Sequence, residues 1–170
     1  MLTASNENQL QEYSPDGRLV QIVQLSWDSG IEHPQHAIKL TSEHFLLCHG
    51  KKDGVFCRVC LVDKTGDVLE YTYEPGQWNR LQLNNPTYLA IVEGGNILVA
   101  DHSNRRVVIL SSDLKFKLNL GDHQPFHPRK ICFDEASGKL FIVENVFERC
   151  RDGNIQKGDH VAYWYNDSEN

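Results

Sequence analysis

The sequence predicts an all-β protein built from a repeated unit of four antiparallel strands. Short apolar runs recur roughly every 8 to 15 residues, and clusters of Gly, Pro, Asp, Asn and Ser separate them. No window keeps the apolar period of about 3.6 residues that a helix would need. In addition, Pro34, Pro86 and Pro128 each precede a strand-like run, so the pattern repeats along the chain.

The predicted strands fall into four groups. In chain order they are 10–14 and 18–25, then 36–40, 44–49, 57–63 and 68–73, then 88–92, 96–101, 107–110 and 116–120, and finally 130–134, 139–144 and 160–165. The last three groups begin just after the three prolines. A proline fits there because the first position of a strand need not donate a hydrogen bond to its neighbour.

Loop lengths alternate within each group. The turns between first and second strands and between third and fourth strands are short, whereas the connections 50–56, 74–87, 102–106, 121–129 and 145–159 are long. Successive turns of an antiparallel sheet lie at opposite ends, so we expect the long loops on one face, where binding usually occurs. A unit of about 40–50 residues with four strands is typical of a β-propeller blade.

Composition and charge narrow the classes of partner. The net charge of −6 argues against a general nucleic-acid surface, and no apolar run approaches the length of a membrane span. The start of the chain has no features of a secretory signal, so we expect reduced cysteines, a cytoplasmic protein and no membrane partner. Cys57 and Cys60 have the spacing of half a zinc site, but they are interpreted as strand residues; a metal or redox role is the alternative.

The residues after Pro86 resemble a known family. An apolar strand, a Gly turn, Asp101 closing the run Val-Ala-Asp, and then Asn104 and Arg106 are similar to an NHL repeat. The other two units depart from this pattern, because His49 and Glu144 stand where the repeat has Asp. The stretch from about Tyr13 to Tyr165 resembles the NHL propellers of tripartite-motif-like invertebrate proteins. That resemblance implies a six-bladed propeller that binds protein partners and, in some members, single-stranded RNA.

The resemblance and the strand count set the predicted domain organisation. Residues 9–166 form one NHL-like propeller segment: 9–25 end one blade, 33–74 and 84–120 form two blades, and 126–166 form a partial blade. Residues 1–8 and 167–170 are expected to be flexible termini. The predicted strands fill roughly half of a six-bladed ring. We therefore expect an incomplete propeller that associates with itself or with another chain.

The sharpest constellation is the loop between the second and third strands of the best-formed repeat. Asp101, Asn104 and Arg106 either bind a ligand at the loop tip or brace the loop across the two strands. We favour the brace, because Asp and Arg at the two strand ends can pair while Asn adopts the turn. Arg105 has no place in the repeat pattern and is predicted to face outward.

Three other features bear on chemistry. His49, His102 and Glu144 occupy comparable places at the ends of second strands, so they could converge near a propeller axis and hold a metal for a lyase or hydrolase. The sequence has no Ser in a nucleophile motif and no Gly-rich phosphate loop. Arg80 and Arg129, with loop aromatics such as Trp78, could instead grip single-stranded RNA.

The sequence therefore predicts a non-enzymatic interaction module that binds a protein partner through its long loops. We expect no catalytic residue, no metal ligand and no cofactor. Single-stranded RNA on the same face is one alternative, and a metal-dependent lyase or hydrolase is another. The predicted binding residues are His49, Arg80, His102, Arg105, Arg129 and Glu144.

Overall fold

The fold is described from a computed structural model, which places residues 2–5, 8–26, 28–51, 57–72, 82–120, 127–149 and 155–164. For 2–5, 145–149 and 155–164 only the backbone is described. These parts contain fourteen strands in four antiparallel sheets. No helix within them is long and apolar enough to cross a membrane.

Each sheet is formed by consecutive strands. The first contains β1 (Leu2–Ser5), β2 (Gln9–Tyr13) and β3 (Leu19–Gln24). The second contains β4 (Pro34–Lys39), β5 (His44–His49), β6 (Arg58–Asp63) and β7 (Val68–Tyr71). The third contains β8 (Pro86–Ile91), β9 (Ile97–Asp101), β10 (Arg106–Leu110) and β11 (Phe116–Leu120). The fourth contains β12 (Pro128–Asp134), β13 (Lys139–Arg149) and β14 (Ile155–Trp164). This up-and-down order confirms the predicted all-β fold of propeller blades.

The repeat predicted from the prolines is visible in the strand register. Each proline pairs with a residue of the second strand in its sheet. In β5 and β9 that residue is the last of the strand, and β13 continues beyond it. The pairing becomes irregular directly after each proline. The pairs are Pro34 with His49, Pro86 with Asp101, and Pro128 with Glu144. Proline has no N–H to donate, and the irregularity places it at a position where the ladder does not need that hydrogen bond.

The turns between third and fourth strands also repeat. The N–H of Ser111 donates to the carbonyl of Lys115 at 2.9 Å, and Ser14 donates to Arg18 at the same distance. By this turn, β2 and β3 correspond to the third and fourth strands of the third sheet. Within the terminus predicted to be flexible, residues 2–5 form β1, which pairs with β2 and satisfies backbone groups of that strand. Residues 1, 6, 7 and 167–170 lie outside the described residues.

The fourth sheet extends beyond the predicted strand ends. The sequence predicts an expanded loop over 145–159, but β13 and β14 continue to pair from Asn145 opposite Asp159 to Arg149 opposite Ile155. The Asn, Asp and Gly residues of this stretch favour a loop, whereas antiparallel pairing satisfies the backbone groups of a long connection. The self-association expected of an incomplete ring stays a prediction.

The core consists of three apolar clusters, one between each pair of successive sheets. The sequence of β5 is almost continuously apolar because both faces of the strand are covered. Leu46 packs toward the third sheet, and its neighbour Leu47 packs toward the first. Side chains alternate across a strand, so a strand covered on both faces needs apolar residues at every position. Burial of each such leucine stabilises the fold by about 1.5–3 kcal/mol.

Polar contacts also join neighbouring sheets. The Nδ1 atom of His36 accepts the backbone N–H of Leu89 at 3.2 Å, and the His36 ring stacks on Tyr88 with centroids 3.8 Å apart. Burial, together with the nearby charge of Lys130, lowers the pKa of His36 to about 4. The ring is therefore neutral at pH 7, as an acceptor nitrogen requires.

A glycine allows the second sheet to approach the first. Gly66 has a φ of +92°, and a Cβ added there would lie 1.8 Å from the carbonyl oxygen of Gln24. Its own carbonyl accepts the N–H of Ser26 at 3.2 Å. This contact leaves no space for a side chain at position 66.

Candidate functional site

The candidate site lies on the loop face, the end of the sheets where second strands finish and first strands begin. Its described parts are 28–33, 50–51, 82–85, 102–105 and 127. The opposite end, the turn face, carries the short turns 14–18, 41–43, 63–67, 93–95, 111–115 and 135–138. Because antiparallel strands alternate in direction, the described parts of the long connections lie at the same end of the sheets.

Asp101 is the centre of a hydrogen-bond network on this face. Its carboxylate accepts the side-chain N–H of Arg106 and the amide N–H of Asn104, both at 2.8 Å, and the backbone N–H of Asn84 at 2.7 Å. The backbone carbonyl of Gln82 accepts from Asn104 at 2.7 Å and from Arg106 at 3.1 Å. The network joins three segments: the end of β9, the start of β10 and the segment that enters β8.

The Asp101 carboxylate is fully buried in this network, with 0% of its surface exposed. Burial raises the pKa of Asp101, while its three hydrogen bonds and the Arg106 charge oppose that shift. A buried carboxylate that meets three donors is committed to internal bonds. The structure therefore places Asp101, Asn104 and Arg106 in a brace that holds the loop in one shape.

The other two repeats use the same position in the same way. The Nδ1 atom of His49 accepts the N–H of Glu32 at 3.4 Å, and the Glu144 carboxylate accepts the N–H of His127 at 3.1 Å. In each case, the second-strand side chain that lies opposite the proline accepts a hydrogen bond from backbone just before that proline. The sequence predicted contact across the strands, but this link to the entering segment could not be read from spacing.

In the first repeat, His replaces Asp and the arginine changes its partner. Arg58 occupies the position of Arg106, but its guanidinium lies over the ring of Tyr71, 4.8 Å from the centroid. Burial, together with the charge of Arg58, lowers the pKa of His49 to about 4. A neutral imidazole cannot balance a guanidinium, so Arg58 turns to an aromatic face instead.

A second feature joins the loops of the third and fourth sheets. The Nδ1 atom of His127 lies 3.2 Å from the carbonyl oxygen of His102, and the two rings are 5.2 Å apart. Arg105 follows in a left-handed conformation with φ of +57°, and its side chain is exposed as predicted. Arg129, two residues beyond His127, is also exposed. The contact between His102 and His127 thus joins the loop after β9 to the start of β12.

The predicted metal residues were His49, His102 and Glu144; of these, Glu144 and His102 both contact His127, whereas His49 binds the backbone of the first repeat. His49, Asp101 and Glu144 each bind backbone of their own repeat, and the described residues contain no group of three His, Cys, Asp or Glu that could hold a metal ion. Cys57 and Cys60 are buried in different apolar clusters on opposite sides of the second sheet. Arg80 and Trp78 lie outside the described residues.

Comparison with known proteins supports the fold. No family model and no curated protein matches the chain. Among solved structures, a virginiamycin B lyase from Staphylococcus aureus is 11% identical with a TM-score of 0.54, and the match covers 90% of this chain and 49% of that one. A streptogramin B lyase is 16% identical with a TM-score of 0.55, covering 92% and 53%. A gluconolactonase from Xanthomonas campestris is 15% identical with a TM-score of 0.53, covering 80% and 41%.

These likenesses establish the β-propeller fold, since identities of this size carry no further information about activity. The chain spans about half the length of the lyases that it matches. It is therefore a partial propeller, in agreement with its four sheets.

Proposed function

We propose that this chain is a non-enzymatic interaction module of the NHL type, which binds a protein partner through the long loops of the loop face. The observation that supports this proposal is the repeated brace. In three repeats the second-strand side chain that lies opposite the proline is hydrogen-bonded to the segment entering the same sheet. These His, Asp and Glu side chains, which could otherwise act in catalysis, instead form hydrogen bonds that hold the loops in place.

A braced loop is suited to recognition. Binding a mobile loop costs conformational entropy, whereas a loop already fixed by internal hydrogen bonds loses little on association. In the best-formed repeat the brace fixes residues 101–106 and leaves Arg105 projecting from the loop. The brace holds the loop in one conformation, and the exposed side chain of Arg105 is not part of the brace.

The NHL assignment and the relation to tripartite-motif-like proteins are part of this proposal. The support is that the residues shared with the repeat pattern contact one another in the structure. Pro86 pairs opposite Asp101, and Asp101 binds both Asn104 and Arg106. These contacts give a physical reason for a pattern of Pro, Asp, Asn and Arg at this spacing.

Photo-crosslinking on each face tests the proposal without changing the braces. A benzoylphenylalanine is introduced in turn at the exposed positions of Lys51 and Gln82 on the loop face, and of Glu43 and Glu135 on the turn face as matched controls. After incubation with an extract and irradiation, we expect one or a few proteins crosslinked from the loop-face positions only. Equal crosslinking from both faces, or crosslinks to RNA alone, would contradict a protein-binding loop face.

A further inference from the structure

We propose that two copies of this chain associate through two sheet faces that no neighbouring sheet covers within the described residues. The front face belongs to the first sheet, and its described side chains include Gln11, Tyr13, Leu19 and Ile22. The back face belongs to the fourth sheet, and its described side chains include Lys130, Cys132, Phe141 and Val143. The front face of each copy packs on the back face of the other. These surfaces differ from the loop face, so the inference does not depend on the proposed function.

Strand register shows where the front face points. Tyr13 pairs with Leu19 across a turn, as Val62 pairs with Val68 across the equivalent turn of the second sheet. Val62 and Val68 pack in the apolar cluster toward the first sheet, which precedes theirs in the chain. A pair at this position therefore faces the preceding sheet, so Tyr13 and Leu19 face away from the second sheet. Because side chains alternate along a strand, one further pair lies on the front face, namely Gln11 with Ile22.

The same comparison shows where the back face points. Cys132, four residues after the proline of its repeat, pairs with Phe141, as Ile38 at the same distance pairs with Leu46. Ile38 and Leu46 pack in the cluster toward the third sheet, which follows theirs in the chain. A pair at this position therefore faces the following sheet, so Cys132 and Phe141 face away from the third sheet. Cys132 is accordingly exposed, and one further pair lies on the back face, namely Lys130 with Val143.

Packing within the chain shows which faces fit together. Each of the three apolar clusters joins the side of one sheet that faces forward along the chain to the side of the next sheet that faces backward. The back face is a side of the first kind and the front face is a side of the second kind. A contact between the back face of one copy and the front face of another therefore repeats a packing that the chain already contains three times.

The front face has the composition of a contact between separately folded chains. Leu19 and Ile22 each leave 50% of their surface exposed. The hydroxyl of Tyr13 donates to the side-chain oxygen of Gln11 at 2.8 Å, so the polar atom of this ring has an acceptor within the face. Apolar side chains together with tyrosine and hydrogen-bonded polar groups are typical of such contacts. Covering them removes apolar surface from water, which favours association.

A second copy is the occupant that the comparisons favour. The chain spans about half the length of the lyases that it matches, so two copies supply about the length of one such propeller. The described residues of each copy form four sheets, and eight sheets lie within the range of about four to eight blades that propellers contain. The two contacts between the copies are related by a two-fold rotation, so they close on a dimer.

Sedimentation velocity of the full chain tests this inference. The chain has a mass of 19.5 kDa, so we expect a species of twice that mass whose fraction rises with concentration. Leu19→Lys with Ile22→Lys places charges on the front face, and Cys132→Lys adds a charge beside Lys130 on the back face. Either change should weaken the dimer at least about tenfold, because the added charges would lose their water in the contact.

Mixing the two variants identifies the mode of contact. Each variant alone has one altered face in both contacts of the dimer. In a mixed pair, the unaltered back face of the front-face variant meets the unaltered front face of the other. An equimolar mixture should therefore form a complex of one copy of each variant. The matched control is Leu69→Lys with Leu118→Lys, which adds two charges at exposed positions of β7 and β11 and should leave the dimer intact.

A single species of 19.5 kDa at every concentration would overturn the inference. A dimer that survives in either variant would also overturn it, because that result indicates contact between like faces, and so would equal dissociation by the control pair. Circular dichroism checks that each variant is folded. If Cys132→Lys does not fold, alkylation of Cys132 in the unaltered chain takes its place, read from the mass of the peptide that contains this residue. Its rate should fall as the protein concentration rises, and a constant rate would contradict the back-face contact.

Discussion

Replacing Asp101 with alanine tests the brace on which the proposed function depends. The substitution removes one carboxylate and with it the acceptor for Arg106, Asn104 and the backbone N–H of Asn84. The arginine stays where it is, mostly buried, with 11% of its side chain exposed. It would keep the carbonyl of Gln82 as an acceptor but would lose the carboxylate that balances its charge.

The expected loss of stability follows from that unbalanced charge. Breaking a buried ion pair by removing one partner costs about 3–5 kcal/mol, much more than an exposed pair contributes. In a domain of this size, each kcal/mol corresponds to about 2–4 °C in the midpoint of thermal unfolding. We therefore expect Asp101→Ala to lower the midpoint by roughly 6–20 °C.

Thermal and urea unfolding followed by circular dichroism measure the effect, with Asp113→Ala as the control. Asp113 forms an exposed ion pair with Lys115 on the turn face, so its removal should change the midpoint little. The double variant Asp101→Ala with Arg106→Met removes both charges and should recover part of the loss, because an apolar pair of similar volume needs no partner. Equal midpoints for the two single variants, or no recovery in the double variant, would refute the brace.

Two further predictions concern the contacts between and within sheets. The pKa values of His36 and His49 are lowered to about 4 from 6.5, so the unfolded chain binds more protons between these pH values. The contribution of these histidines to the free energy of unfolding should therefore be fully present above pH 6.5 and decrease as the pH is lowered toward 4. Replacing both histidines by Gln should make the free energy of unfolding, measured by urea titration, less dependent on pH over this range. Gly66→Ala should destabilise the chain severely, because its Cβ meets backbone, whereas Gly94→Ala, also at positive φ but in open space, should cost only about 1–2 kcal/mol.

Each of these two predictions has an outcome that would contradict it. If replacing the exposed His33 by Gln flattens the pH dependence as much as replacing His36 and His49, burial is not the cause of that dependence. If Gly66→Ala and Gly94→Ala lower the urea midpoint equally, backbone strain alone explains both losses. The close approach of the Gln24 carbonyl to Gly66 would then not contribute to the loss of stability.

Much of the architecture could be predicted from local patterns. Alternating apolar runs, prolines at strand starts and Gly-containing turns are properties of neighbouring residues, and they located thirteen of the fourteen described strands. The missed strand, β1, is four residues long and has too little pattern of its own. The long pairing of β13 with β14 was missed for the opposite reason, since its loop-forming residues are overridden by partners across the hairpin.

Residue types along the chain determined the repeat and the residues of the brace, because Asp101 and Arg106 stand at adjacent strand ends whose antiparallel pairing is local. Only the tertiary structure decided what those residues bind besides each other. The N–H groups of Glu32, Asn84 and His127 reach the braces through connections of long and variable length, and no spacing rule predicts where such a connection lies. Whether His49 is a ligand or an internal acceptor depends on desolvation, which is set by packing of whole sheets and not by its sequence neighbours.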